Sequence, residues 1–420
     1  VTDRDTGSWR MLAGLLADSH LTPFEALPAR INARARAVGF DDVRIYLGDL
    51  QRRVLRLLTG SGPGTGPGGE PPDRELTVEG TVAGRAFQYG HIMPVSGDGG
   101  SHLCWVPLLN GTERLGVMRV TARAGDERAR EDMLALAGLA AMMVVGGRDT
   151  SDRHARLTRS SPMNVAAEMQ WQLMPPRTYA DGRVVISAVM EPAYQVSGDA
   201  FDYGTAEDLV HLSLFDAMGH DTAAGLTATL AMGACRNHRR QGTPLEDLGD
   251  AIERVLLQQF GPSRYVTGVL ADLDTATGLL SWVNRGHHPP LVIRDGRWAT
   301  RLHCAPAHPM GTDLGLPTRI GREHLQPGDR LVLYTDGITE ARTPGGEEFG
   351  LTRFTDFLIR HHADELPVPE TLRRLMRAVL DHHDGQLQDD ATILLCEWLG
   401  PMPDTAVSAP RAGVELPPGG

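Results

Sequence analysis

Lysine is absent from this chain: all 41 basic residues among the 420 are arginine. That gap excludes a Walker-type P-loop lysine, the ATP-binding lysine of a kinase and any Schiff-base mechanism. Cysteine is scarce as well. Cys104, Cys235, Cys304 and Cys396 lie far apart with no CxxC pair, so they read as free thiols in a reducing compartment, not as a disulfide framework. A net charge of -12 withholds the basic footprint a nucleic-acid partner requires, and it argues against a two-metal nuclease. The longest uncharged apolar run, Met133–Gly147, is too short to span a bilayer and reads as a buried helix. Charges from Asp3 onward give the start of the chain no signal-peptide character. The expectation is a cytoplasmic protein with neither a nucleic acid nor a membrane as partner.

A length of 420 residues with 41% hydrophobic content predicts two domains joined by a linker. Residues 1–147 form the first. Trp9–Val38 is mainly helical in pattern. Val43–Leu47, Val54–Leu58, Ile92–Val95, Leu103–Leu109 and Arg114–Thr121 read as strands, and Arg128–Val145 as a closing helix. Gly60–Pro72 is a Gly/Pro surface loop that lacks the lysine of a phosphate cradle. The stretches VEGTVAGRAFQYGHIMPV and HLCWVPLLNGTERLGVMRV, followed by that helix, resemble a GAF sensory domain. The resemblance implies a six-stranded antiparallel sheet with helices on one face and a small pocket on the other. The pocket's signal, a small molecule or a protein, cannot be read from the residues.

Residues 148–180 read as a linker. Within it Val165, Met169 and Leu173 fall four apart on one apolar helix stripe before Pro175-Pro176. Two readings stay open there: a helix packed on its own domain, or a signalling helix that pairs with a second copy in a homodimer. Residues 181–399 alternate runs of strands with paired helices, Thr222–Arg240 with Leu245–Gln259 and Leu351–Arg360 with Pro369–His382. That order favours an α+β fold of antiparallel sheets with helices outside over a doubly wound parallel sheet. Residues 400–420, rich in Pro, Ala and Gly, read as a disordered tail.

The chemistry lies in carboxylates at strand ends. Asp199 in QVSGDAFDYG, Asp216 in LFDAMGH, Asp336 in LYTDGITEA and Asp389-Asp390 in QDDATILL all sit there, three of the sites beside glycines that permit sharp turns and close backbone approach. Unpaired carboxylates brought together repel one another unless a cation neutralises them. An all-oxygen donor set points to Mg²⁺ or Mn²⁺ and away from zinc. Two such ions about 3.5–4 Å apart can activate a water for attack on phosphorus.

As an ordered set, VSGDAFDY, LFDAMGH, VNRGHHPPLVI, LVLYTDGITEA, EEFG and DDATILL resemble the SpoIIE-like branch of the PPM-type serine/threonine phosphatases, and AAEMQWQLMPP resembles the segment leading into such domains. The resemblance implies an αββα sandwich with two Mn²⁺ or Mg²⁺ ions. It implies that Asp216 bridges them and that the Ala217 carbonyl ligates one, with Asp199 on that side. Asp336 and Asp389 hold the other ion, with Asp390, Gly219, His220 and Gly337 in support and Asp202 as an outer candidate. Two departures stand out. Ser197 replaces a glycine before Asp199, and Asp221 replaces the last glycine of the usual GHG. Asp221 either caps the helix that starts at Thr222 or adds charge beside the metals. His287-His288 reads as turn-stabilising. By family analogy the substrate is a phosphorylated STAS-type anti-sigma factor antagonist, with the first domain regulating the second. The alternative is a weak or inactive phosphatase fold that acts by docking to a partner.

Overall fold

The computed structural model describes residues 3–60, 73–95, 102–219, 221–294, 296–343, 345–383, 387 and 389–416. The Gly/Pro loop from residue 61 onward and His220 lie outside this set. The chain divides into two compact units, Val1–Ser161 with Gly413–Gly420, and Pro162–Ala412.

The first unit contains α1 (Asp3–Ser19), α2 (Leu27–Ala35), β1 (Phe40–Gly48), β2 (Val54–Leu57), β3 (Glu75–Thr77), α3 (Val82–Tyr89), β4 (Met93–Val95), β5 (His102–Asn110), β6 (Glu113–Ala122), α4 (Glu127–Arg148) and α5 (Asp152–Thr158). The strands make one six-stranded antiparallel sheet in the order β3-β2-β1-β6-β5-β4. Met11, Leu15, Ile31, Met133, Leu136 and Val144 from α1, α2 and α4 join one face of it in a single core. The other face, where a small pocket was expected, is covered by α3. Ala83, Ala86 and Phe87 pack there with Tyr46, Leu55 and Val117. Among the described residues no single helix is long and apolar enough to cross a membrane.

The second unit runs α6 (Val165–Leu173), β7 (Thr178–Ala180), β8 (Val184–Glu191), β9 (Asp199–Ala206), β10 (Leu209–Ala217), α7 (Thr222–Arg240), α8 (Leu245–Phe260), β11 (Val266–Asp274), β12 (Leu279–Arg285), β13 (Leu291–Arg294), β14 (Trp298–Arg301), β15 (Ile320–His324), β16 (Arg330–Tyr334), α9 (Asp336–Thr339), α10 (Gly350–Ala363), α11 (Val368–His382), β17 (Ala391–Trp398) and α12 (Thr405–Ala412). Its strands form two antiparallel sheets, β15-β12-β11-β10-β9 and β14-β13-β16-β17-β8-β7. Ile186, Ala188, Leu331, Leu333 and Leu394 of one share a core with Phe201, Leu212, Leu214 and Leu270 of the other. Helices α7 and α8 lie on the first sheet, α10 and α11 on the second, which gives the αββα layering. Every residue of the interior strand β17 is buried, as a strand covered on both faces requires.

Three expectations need correction. The linker does not form a separate piece: α5 belongs to the first unit and α6 to the second. On α6 the inward contacts come from Ala167, Gln170 and the partly buried Trp171, while Val165 (78% exposed), Met169 (55%) and Leu173 (46%) face outward. The helix therefore packs on its own unit with a face other than the predicted stripe. The tail is not featureless either. Residues 405–412 form α12, with Ser408, Ala409 and Ala412 buried, because an Ala-rich segment keeps helix propensity even where Pro410 occupies its last turn. Beyond it, Glu415 accepts hydrogen bonds from Ile92 N–H and Arg130.

Candidate metal centre

The register of β9 and β10 explains why two carboxylates meet. Asp199 opens β9 and pairs directly with Asp216 near the end of β10, so the two side chains share the inner face of the sheet. Asp336 follows the end of β16 as the first residue of α9. Asp389 and Asp390 precede β17, the neighbour of β16. Four chain segments thus deliver carboxylates to the same end of the two facing sheets.

Close backbone approach holds the segments together. The Gly198 N–H donates to Asp390 Oδ2, and the Gly198 carbonyl accepts from Ala217 N–H at 2.9 Å. A Cβ at position 198 would stand 2.5 Å from the Gly219 carbonyl oxygen and 2.8 Å from that of Ala217, so only glycine fits. Gly219 itself takes φ +89°, the left-handed turn that lets the chain leave β10. Gly337 lies against the Asp390 carbonyl, where a Cβ would overlap it.

Electrostatics show the carboxylates acting on one another. Burial drives the Asp199 carboxyl well above the usual range, and the charges of Asp216 and Asp390 add to the effect. Asp216 is pushed up to about 7, first by burial and then by Asp336, Asp389 and Asp390, with His288 acting in the opposite direction. Asp390 is buried and Asp389 exposed. The donor chemistry, five carboxylates beside the Ala217 carbonyl, fits a hard divalent cation. Among the described residues, however, no three acidic, imidazole or thiol groups stand close enough together to ligate one ion as they are placed. The set is gathered without being closed.

Two residues of this neighbourhood, Thr335 and Gln170, escaped sequence reasoning, and a third, His288, was read only as part of a turn. Thr335 donates through Oγ1 to Asp199 Oδ2 at 2.7 Å and accepts from Thr392 N–H at 2.9 Å, which fixes the buried carboxylate. Gln170 of α6 donates to the Ser197 and Asp199 carbonyls at 2.9 and 2.7 Å, so this helix braces the first residue of β9. His288 stacks on Tyr334 and places Nε2 4.0 Å from Asp336 Oδ2; that carboxylate raises the imidazole's pKa. His287 keeps the turn-stabilising role. It is buried, Nδ1 lies 2.8 Å from Thr267 Oγ1, Nε2 lies 3.0 Å from the Tyr334 carbonyl, and Asn284 clamps its backbone. A Thr immediately before Asp336 and a lone Gln inside an apolar helix were the available signals.

Asp202 is not part of the group. It lies an odd number of residues from Asp199, so it faces the opposite side of β9, where Arg236 at 2.6 Å and Arg239 at 3.2 Å hold it. Asp221 is the cap of α7, accepting from Ala224 N–H at 2.7 Å, with Arg264 3.5 Å away.

Residues 206–399, just under half of the chain, match the family model described as Stage II sporulation protein E (SpoIIE). Over 237 residues the chain is 24% identical to the phosphoserine phosphatase RsbU of Bacillus subtilis (strain 168), covering 56% of this chain and 69% of that protein. Over 163 residues it is 24% identical to the phosphoserine phosphatase RsbP of the same organism, covering 38% of this chain and 40% of that one. The SiaA-PP2C domain of Pseudomonas aeruginosa has 21% identity and a TM-score of 0.49 across 55% of this chain and 94% of its own.

Proposed function

We propose that the second unit is a metal-dependent protein serine/threonine phosphatase that removes phosphate from a regulatory partner in the cytoplasm. The observation that carries this reading is the gathering of Asp199, Asp216, Asp336, Asp389 and Asp390 from four segments. Their charges bear on one another, and two relatives matched over this region, RsbU and RsbP, are phosphoserine phosphatases by name. Asp216 and Asp199, with the Ala217 carbonyl, would hold one Mn²⁺ or Mg²⁺; Asp216, Asp336 and Asp389 would hold a second. When bound, the two cations supply Lewis acidity that lowers the pKa of a water and neutralises phosphoryl oxygens.

The chain's own residues do the rest. Thr335 fixes the Asp199 carboxylate, Gly198 and Gly219 bring the Ala217 carbonyl into range, and Asp390 ties the last turn to Gly198. No side chain acts as nucleophile, and the chain holds no lysine. The substrate class, by likeness to the RsbU-type relatives, is a phosphorylated STAS-type anti-sigma factor antagonist. The first unit, a GAF-like sensor for an unidentified signal, regulates the rate. Gln170 of α6 touches the backbone of the Asp199 strand, so a shift of α6 would reach the carboxylates directly. The exposed Val165, Met169 and Leu173 would pair with a second copy in a homodimer.

Hydrolysis of p-nitrophenyl phosphate with Mn²⁺, with Mg²⁺ and with chelator tests the reading. Turnover should require the metal and vanish in Asp336→Asn. Metal-independent turnover, or a fully active Asp336→Asn, overturns it. One observation favours a docking module instead: the carboxylates as placed do not close on a single point. That alternative expects no turnover with either metal but retained binding of the phosphorylated partner. Removing residues 1–150 should change the rate; an unchanged rate makes the first unit a tether.

A further inference from the structure

The second sheet carries another concentration of charge at the end away from the carboxylates. Arg330 opens β16 and pairs in register with Glu397 of β17. About 13 Å of strand separates it from Tyr334 at the other end. Its side chain is completely buried, and Nε donates to Glu397 Oε2 at 2.9 Å. Both terminal nitrogens, Nη1 and Nη2, are buried without a hydrogen-bond partner. Arg411 of α12 brings Nε to 3.6 Å from the other oxygen of Glu397, and its Nη1 is likewise buried and unpartnered. His362, near the end of α10, adds a buried, unpartnered Nδ1.

These groups share one neighbourhood: the charge of Arg411 bears on Arg330, and both guanidinium charges bear on His362. Burial, with those two charges, holds the imidazole down to about 3, hence neutral. Two guanidinium groups then face one carboxylate, and Glu397 is the one carboxylate among the described residues that pairs with either of them. One positive charge and three guanidinium nitrogens are left over, beside one carboxylate oxygen, Glu397 Oε1, that is also buried without a hydrogen-bond partner. A water would accept a hydrogen bond but leave the charge uncompensated, which a buried position penalises heavily. An oxyanion answers both needs, and the planar guanidinium fork matches its geometry. Access is available from the rim, since Arg411 is 26% exposed and His362 only half-buried.

We propose that Arg330, Arg411 and His362 form a binding site for a small tetrahedral oxyanion, phosphate or sulfate, separate from the carboxylate group. Arg330 forms its floor and the part-exposed Arg411 its rim, so the occupied site fastens α12 to the sheet. The site does not rest on the phosphatase reading.

The test is titration of the full chain, in chelator, with sodium sulfate and with sodium phosphate, followed by calorimetry and thermal unfolding. Sodium chloride at matched ionic strength is the control. Sulfate and phosphate should bind saturably and raise the unfolding temperature, whereas chloride should not. Arg411→Ala should weaken binding about tenfold or more through loss of one charge-assisted contact. Arg411→Lys, which keeps the charge without the fork and guards against a folding defect, should fall in between. Asp336→Asn should bind as the parent does, which separates this site from the carboxylates. Equal shifts with chloride, equal binding by parent and Arg411→Ala, or a sulfate-grown crystal with water alone at Arg330 would each overturn the proposal.

Discussion

Replacing Asp216 with asparagine should make the metal-free protein more stable while it abolishes metal-dependent turnover. The sign follows from linkage. Asp216 has a folded-state pKa of about 7 against an ordinary 3.8, caused first by burial and then by Asp336, Asp389 and Asp390. A carboxyl raised in this way leaves stability intact below its unfolded pKa. It costs stability progressively as pH rises from about 4 to about 7, and the loss is complete above that. The full shift corresponds to about 4 kcal/mol. Asp216 is only partly buried, so solvent screening reduces the expected cost to about 1–2 kcal/mol. Asparagine carries no charge and removes this cost. In chelator at pH 8, Asp216→Asn should unfold about 3–6 °C above the parent, and the gap should close at pH 5. Added Mn²⁺ should reverse the order, raising the parent and leaving the variant where it was. Thermal unfolding at the two pH values, with and without Mn²⁺, reads all four conditions. A variant less stable than the parent in chelator at pH 8, or a gap independent of pH, would refute the claim that these carboxylates repel one another.

Three further substitutions probe the supports. Gly198→Ala puts a methyl group 2.5 Å from the Gly219 carbonyl oxygen and 2.8 Å from that of Ala217; Mn²⁺ affinity measured by calorimetry should fall, and unchanged affinity would remove this loop from the site. Asp202→Ala leaves Arg236 and Arg239 without their shared partner, so urea unfolding should show a loss of about 3 kcal/mol with Mn²⁺-dependent turnover retained. Complete loss of turnover in well-folded Asp202→Ala would return it to the catalytic group. Asp221→Ala removes the cap of α7, seen as a small drop in unfolding temperature; a turnover defect as severe as that of Asp216→Asn would place Asp221 beside the metals.

Much of the site was legible because strand period and turn chemistry are local. The alternation through β10 ends at Asp216, a glycine follows three residues later, and α7 begins at Thr222 as the Ala-rich pattern implied. The ends of β16 and the start of β17 mark Asp336 and the Asp389-Asp390 pair in the same way. What escaped depends on partners distant in sequence. The 2.7 Å bond of Thr335 to Asp199 spans 136 residues, and the hold of Gln170 on β9 is visible only once α6 is docked. Asp202 was misplaced because its motif sits three residues from Asp199, and an odd spacing on a strand reverses the face. The tail misled through composition: proline and alanine read as disorder, yet Ser408, Ala409 and Ala412 had a surface to bury against.

The most direct measurement is Mn²⁺ binding to the full chain, by calorimetric titration at pH 7.5. Saturable uptake of two ions per chain, lost in both Asp216→Asn and Asp336→Asn, is the expected result. No saturable uptake by the parent, or the same stoichiometry in both variants, would contradict it.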